Sequence, residues 1–216
     1  MNKHETNKLF YGQYLYKIQL RNSLASYFRE KNLPNARRVL DNMQQLFEDN
    51  QPLQISRGLR VSPLSKEHFS EATKLYTHFS KAQNYKLRVE QQYMNVYSND
   101  ISWLNTIIYD IGDSVNLISL HEPNPNYTLT PDTILVDKSN GYQYKVTLGN
   151  DRGDETFGLW ASNNPNLIKI GPKLQQELFD NGYVSGMYFY ARDDRTLQLC
   201  NLMLTNIRRI DKLVVK

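Results

Sequence analysis

Two stretches of the chain alternate apolar and polar residues at period two: Tyr14 to Leu20 and Tyr142 to Leu148. That period predicts half-buried strands. The two stretches are also copies of one another, sharing the pattern Tyr-x-Tyr-Lys-aliphatic-x-Leu-x-Asn that ends at Asn22 and Asn150. Asn22 is then a candidate cap for a helix over 23–31. The likeness continues in the same order. Asn32-Leu33-Pro34-Asn35 and Asn163-Asn164-Pro165-Asn166 both predict turns, because Pro fixes its own φ and restricts the residue before it. Leu40, Met43, Leu46 and Phe47 space as one helix face, as do Leu174, Leu178 and Phe179. An aromatic strand follows in each copy, ending at Tyr97 or Tyr190, with Asn99, Asp100, Asp193 and Asp194 as cap candidates. Ile101, Leu104, Ile107, Ile108 and Ile111 form the stripe of the next helix, mirrored by Leu197, Cys200, Met203 and Leu204. Closing strands are expected over 115–120 and 207–215, with Leu117 matched to Ile210 and Leu120 to Leu213.

Each copy reads strand, helix, helix, strand, helix, strand. Helices outnumber what a sandwich would hold, so the class is α+β, with an internal duplication whose first copy carries an insertion. The insertion lies near residues 51–90. It contains a strand or short hairpin over 53–61 around Gly58, and a helix from Ser65 to Lys81 whose Phe69, Ala72, Tyr76 and Phe79 form a core or docking face. The expected organisation is a first copy over 1–121, a Pro-rich connector over 122–131, and a second copy over 132–216. Within that second copy, 133–138 and the strand from Tyr142 read as a hairpin turning at Gly141.

Composition places the chain among globular proteins, with 40% hydrophobic, 12% aromatic and 22% charged residues. A single Cys excludes an internal disulfide and a multi-Cys zinc site. There is no apolar run long enough for a membrane span, and residues 1–16 carry Lys, His and Glu where a signal peptide needs a hydrophobic stretch. A soluble, intracellular protein with no membrane partner is expected. The net charge of +4 is uneven: residues 1–40 carry +6, residues 208–216 carry +3, and the segment between carries −5. Basic ends of this kind suit a phosphate backbone, while a solvated surface explains them equally simply. The bias toward Asn (22) and Tyr (15) over Ala (6) matches an AT-rich genome.

Candidate chemistry is sparse. Pro131-Asp132, followed by Gln143, Tyr144 and Lys145, can be written as a PD-(D/E)xK nuclease signature with Gln in place of the acid. There an Asp and a neighbouring acid hold Mg²⁺ while Lys positions the attacking water. Gln offers only a neutral oxygen, and Lys145 is matched by Lys17, which has no upstream Pro-Asp. Asp151, Asp154 and Glu155 crowd a Gly-containing loop without calcium-loop spacing. The four His, at 4, 68, 78 and 121, lack zinc-protease spacing. Cys200 falls in an apolar stripe, Asp100 and Asp193 suit helix caps, and no Gly-rich phosphate loop is present. Met187-Tyr188-Phe189-Tyr190 could offer aromatic faces to bases, or pack in the core. No catalytic residue, metal or cofactor is assigned.

The segments Phe157 to Trp160, Lys169-Ile170-Gly171, Tyr188 to Asp193 and Ile207 to Val214, with Lys8 to Lys17 and Arg88 to Asp100, resemble conserved proteins encoded by marine and T4-like phages. The resemblance implies a viral origin and a place in the host cytoplasm or the virion. It brings no activity and no catalytic residues. The expected function is that of a non-catalytic binding or adaptor protein. Its partner is nucleic acid, DNA or RNA, contacted along the backbone by Lys17, Arg21, Arg37, Arg38, Lys145, Arg208 and Arg209. The alternatives are a metal-dependent nuclease at Asp132 and Lys145, and a virion protein or one whose partner is a phage or host protein.

Overall fold

The computed structural model describes all residues except 58–59 and 113–115, and all described side chains except those of 57 and 60. Gly58, and the first residue of the strand expected over 115–120, therefore lie outside the described residues. In chain order the elements are β1 (Asn2–Thr6), β2 (Tyr16–Arg21), a 3₁₀ helix (Ala25–Lys31), α1 (Leu33–Glu48), β3 (Gln54–Arg57), β4 (Arg60–Pro63), α2 (Lys66–Lys81), β5 (Tyr85–Glu90), β6 (Tyr93–Ser98), α3 (Ile101–Ile111) and β7 (Leu117–Pro123). They continue with β8 (Thr133–Val136), β9 (Tyr144–Leu148), α4 (Glu155–Asn163), β10 (Ile168–Ile170), α5 (Pro172–Phe179), β11 (Tyr188–Ala191), α6 (Asp194–Met203) and β12 (Ile207–Val215). The fold is α+β. Two compact units divide it, one of residues 1–6 and 13–124, the other of residues 7–12 and 125–216.

The first unit holds a sheet in the order β1-β7-β2-β6-β5, plus the β3-β4 hairpin. The second holds a sheet that, read from the matching end, runs β8-β12-β9-β11-β10. In each sheet the outer pair, β1·β7 or β8·β12, is parallel and every other pair antiparallel. Lys17 of β2 stands between Tyr97 and His121, and Lys145 of β9 between Tyr190 and Asp211. Both closing strands carry a bulge at the same step, where Leu20 or Leu148 meets its partner. The ladders also correct the sequence match of these strands. Leu117 pairs with Leu20 and Ile207 with Leu148, Leu120 with Ile18 and Ile210 with Val146. The equivalents are thus Leu117/Ile207 and Leu120/Ile210, because the second copy reaches its closing strand in three fewer residues.

Helix ends follow local chemistry. The side chains of Asn32, Ser65, Asp100, Asp154 and Asp193 each accept an N–H from three residues on, starting α1, α2, α3, α4 and α6. The Asn32-Leu33-Pro34-Asn35 element is therefore a helix start and not a free turn, since Pro34 sits in the first turn where no N–H is missed. Asn22 does not cap: its side chain accepts from Leu24 N at 2.8 Å, closing a turn before the 3₁₀ helix opens at Ala25. Leu40 and Met43 face the core as expected, while Phe47 and Phe179, matched in sequence, both turn outward at 40% and 37% exposed.

Each sheet packs one face on helices. In the first unit Ile18, Leu20, Met94 and Val96 meet Leu104 and Ile107 of α3. The insertion joins this core through Leu53, Ile55, Leu64, Phe69, Ala72, Leu75 and Phe79. It is fixed there by the buried Glu71, whose carboxylate accepts from the side-chain amides of Asn22 and Asn116. In the second unit Val146, Leu148, Phe189 and Ala191 meet Phe157, Ala161, Leu174, Leu178 and Cys200. The expected hairpin of residues 133–148 is not formed. The last strand, β12, inserts between β8 and β9 and bonds to both, so that Ile210, partly buried, packs against the core beside Val146.

Candidate nucleic-acid interface

Strand alternation decides which side chains leave the core. In β9, Tyr144, Val146 and Leu148 point to the helices, which leaves Lys145 and Thr147 on the opposite face. In β11, Phe189 and Ala191 are buried, which puts Tyr188 and Tyr190 on that same opposite face. The register then sets Lys145 beside Tyr190. The Lys145 ammonium lies over the Tyr188 ring, 3.8 Å from its centroid, a cation–π distance. Tyr188 meets Tyr190 edge to face at 5.6 Å, and Tyr190 meets Tyr142 at 6.3 Å. Tyr188 is 45% exposed. Burial and the neighbouring Tyr188 push the Tyr190 hydroxyl above its ordinary pKa.

The first unit repeats this arrangement. Tyr14 and Tyr97 occupy the places of Tyr142 and Tyr190, with centroids 6.4 Å apart and planes at 39°, against 6.3 Å and 37° in the second. Lys17 takes the place of Lys145, but its neighbours differ. Burial pulls its amine below the ordinary lysine pKa, opposed by the charge of Glu90. Its partner His121 stacks on His4 at 4.7 Å, and burial with the nearby Lys17 and His4 charges lowers the His121 imidazole to about 4. Tyr97 is buried where Tyr190 is half-exposed, so the second unit offers the more accessible version.

Beside Tyr188 and Tyr190 a groove of about 490 Å³ runs between β10, the start of α5 and β11. Ile170, Leu174 and Met187 supply its apolar lining, Tyr188 and Tyr190 its aromatic wall, and Lys169 and Lys173 its cationic rim. Among the described residues no acidic side chain lines it. A larger cleft of about 980 Å³ in the first unit is more mixed, with Lys31 and Lys81 near Asp100. There the Lys31 ammonium already lies 3.8 Å from the Tyr85 ring centroid.

The other sequence candidates are scattered. Arg21, exposed at the end of β2, donates to Gln92. Arg37 and Arg38 are exposed on α1, where Arg37 pairs with Asp41 and Arg38 donates to Asn35. Arg208 sits exposed at the β12 bulge. Arg209 shares a face with Lys145 but is held by the protein itself: its guanidinium donates to Asp211 at 2.7 Å and to the Pro131 carbonyl at 2.9 Å. Asp211, only 1% exposed, takes a second cation from Lys8 at 3.6 Å. Burial lowers the Lys8 pKa despite Asp211, and the charges of Arg209 and Lys145 add to that shift. The Tyr142–Tyr190 pair and the groove were missed from sequence, because Tyr188 and Tyr190 can be assigned outward only once Phe189 is seen to be buried.

Asp132 and Lys145 do not lie on neighbouring strands. Asp132 precedes β8, and β12 separates β8 from β9, about 10 Å at ordinary strand spacing. Among the described residues no group of three or more His, Cys, Asp or Glu side chains is arranged to hold a metal. Asp154 is spent on capping α4, and Asp151 accepts from Arg152 N. Cys200 is fully buried, its thiol pushed up to about 12 by burial, which is unlike a nucleophile. No helix among the described residues is long and apolar enough to cross a membrane. Comparison of the chain with protein-family models, curated proteins and solved structures finds no match.

Proposed function

We propose that this protein is a non-catalytic nucleic-acid-binding or adaptor protein, and that its contact surface is the tyrosine and lysine face of the second sheet. One observation carries the reading: Lys145, Tyr188 and Tyr190 stand together on the sheet face away from the helices with the Tyr142 ring beside Tyr190, and Lys17 and Tyr97, with Tyr14 beside Tyr97, repeat the motif in the first unit. Lysine neutralises phosphate and releases counterions, while tyrosine rings accept bases without regard to sequence. Two related surfaces on one chain suit a partner that is itself a repeating polymer, because linked contacts raise the effective concentration of the second. The viral origin implied by the sequence resemblance belongs to the same proposal.

Anisotropy of labelled single-stranded DNA, single-stranded RNA and duplex DNA across a salt series tests it. Salt-sensitive binding is expected. Lys145→Ala should weaken it and lower the log–log salt slope by about 0.7 for a lost single-strand phosphate contact. A slope unchanged by Lys145→Ala would remove that lysine from the surface, and absence of binding at low salt would leave a protein partner as the reading to pursue.

A further inference from the structure

The groove beside Tyr188 adds a specificity that the backbone-contacting face alone would not have. We infer that it receives one unstacked base of a single-stranded nucleic acid, with the flanking phosphates held by Lys169 and Lys173. This rests on the nucleic-acid reading above and deepens it.

The argument starts from the chemistry of the walls. Ile170, Leu174 and Met187 give an apolar lining, and Tyr188 and Tyr190 give flat aromatic surface, so the interior favours a planar, weakly polar group. The rim carries Lys169 and Lys173, both exposed, and neither has a carboxylate within ion-pair distance among the described residues. A ligand that is planar at one end and anionic at the other matches both, and a nucleotide unit within a strand is such a ligand. The groove volume of about 490 Å³ falls within the range of small-molecule sites, about 300–1,000 Å³. The Lys145 ammonium sits over the centre of one face of the Tyr188 ring, which adds a third cation beside the groove. A base inside a duplex is stacked on both faces and cannot enter, so the groove selects for single strands or for strand ends.

The test compares an oligonucleotide with one of identical backbone that lacks its bases, as both DNA and RNA, by anisotropy on the full-length protein. The natural strand should bind about 5- to 160-fold tighter than the abasic one, the range of a base–aromatic contact. In Tyr188→Ala, which removes an exposed ring, that gap should shrink, whereas Lys169→Glu, which loses a phosphate contact on the exposed rim, should weaken natural and abasic strands alike. Equal, salt-sensitive binding of natural and abasic strands by the wild type would overturn the groove and base stacking on the tyrosines, while leaving the phosphate contacts of the lysines intact. A gap that survives Tyr188→Ala would place base recognition elsewhere and equally overturn it. No binding of any strand at low salt would defeat the nucleic-acid reading itself, and this inference with it.

Discussion

A carboxylate as deeply buried as that of Asp211 is tolerated only when its charge is answered, and Arg209 and Lys8 answer it. This makes Arg209 a structural residue, although its place in a basic terminus marks it as a phosphate contact. Arg209→Ala should cost about 3 kcal/mol, the lower end for breaking a buried pair because Lys8 remains. Urea denaturation measures this; a change within about 0.5 kcal/mol, as for an ordinary surface residue, would mean that Asp211 does not depend on Arg209. His121 gives a second residue-scale expectation. Its imidazole titrates near 4 in the fold and near 6.5 when unfolded, so between those values the unfolded chain binds the extra proton. The resulting contribution to stability is complete above about pH 6.5 and is lost as the pH falls toward 4. Thermal melts of the wild type and His121→Phe should converge in that direction, the variant having the shallower pH dependence; parallel curves would show that His121 is not held neutral.

Among the elements, periodic faces and some caps were legible, while the caps at Asn32 and Asp154 and the strand partnerships were not. Asp100, Asp193 and the alternating strands around Lys17 and Lys145 declare themselves because their chemistry is local. Strand order is not local. Nothing in the run from Thr133 to Leu148 announces that β12, some sixty residues on, will separate its two strands. The groove is illegible for the same reason, since it needs 169–174 to meet 186–190. The insertion gives the clearest energetic expectation at this scale. Glu71 of α2 accepts from Asn22 and Asn116, while His68 bridges Ser23 and Asn116. Removing the carboxylate by Glu71→Ala leaves those buried amides short of a partner, at about 1–3 kcal/mol. The loss should appear as faster hydrogen exchange across α2, and an unchanged exchange pattern would mean that apolar packing alone holds the insertion.

At the scale of the whole molecule, the two sheets agree in strand order, strand sense, bulge position and the geometry of one tyrosine pair. These agreements support the duplication that the sequence suggests. They do not extend to the periphery. The edge strand β10 precedes α5 in the second unit, whereas β5 follows α2 and joins β6 directly in the first. The open faces have diverged too, with histidines beside Lys17 and the buried Asp211 beside Lys145. Divergence of this kind gives two versions of one surface, of which the second is the more exposed. The central claim is that this second surface is where nucleic acid lies. Ultraviolet crosslinking of the intact protein to a bromouracil-substituted single strand, followed by peptide mass spectrometry, tests it most directly. Crosslinks should concentrate on Tyr188, Tyr190 and Tyr142, and crosslinks confined to the helix bearing Arg37 and Arg38, with none on β11, would contradict the account.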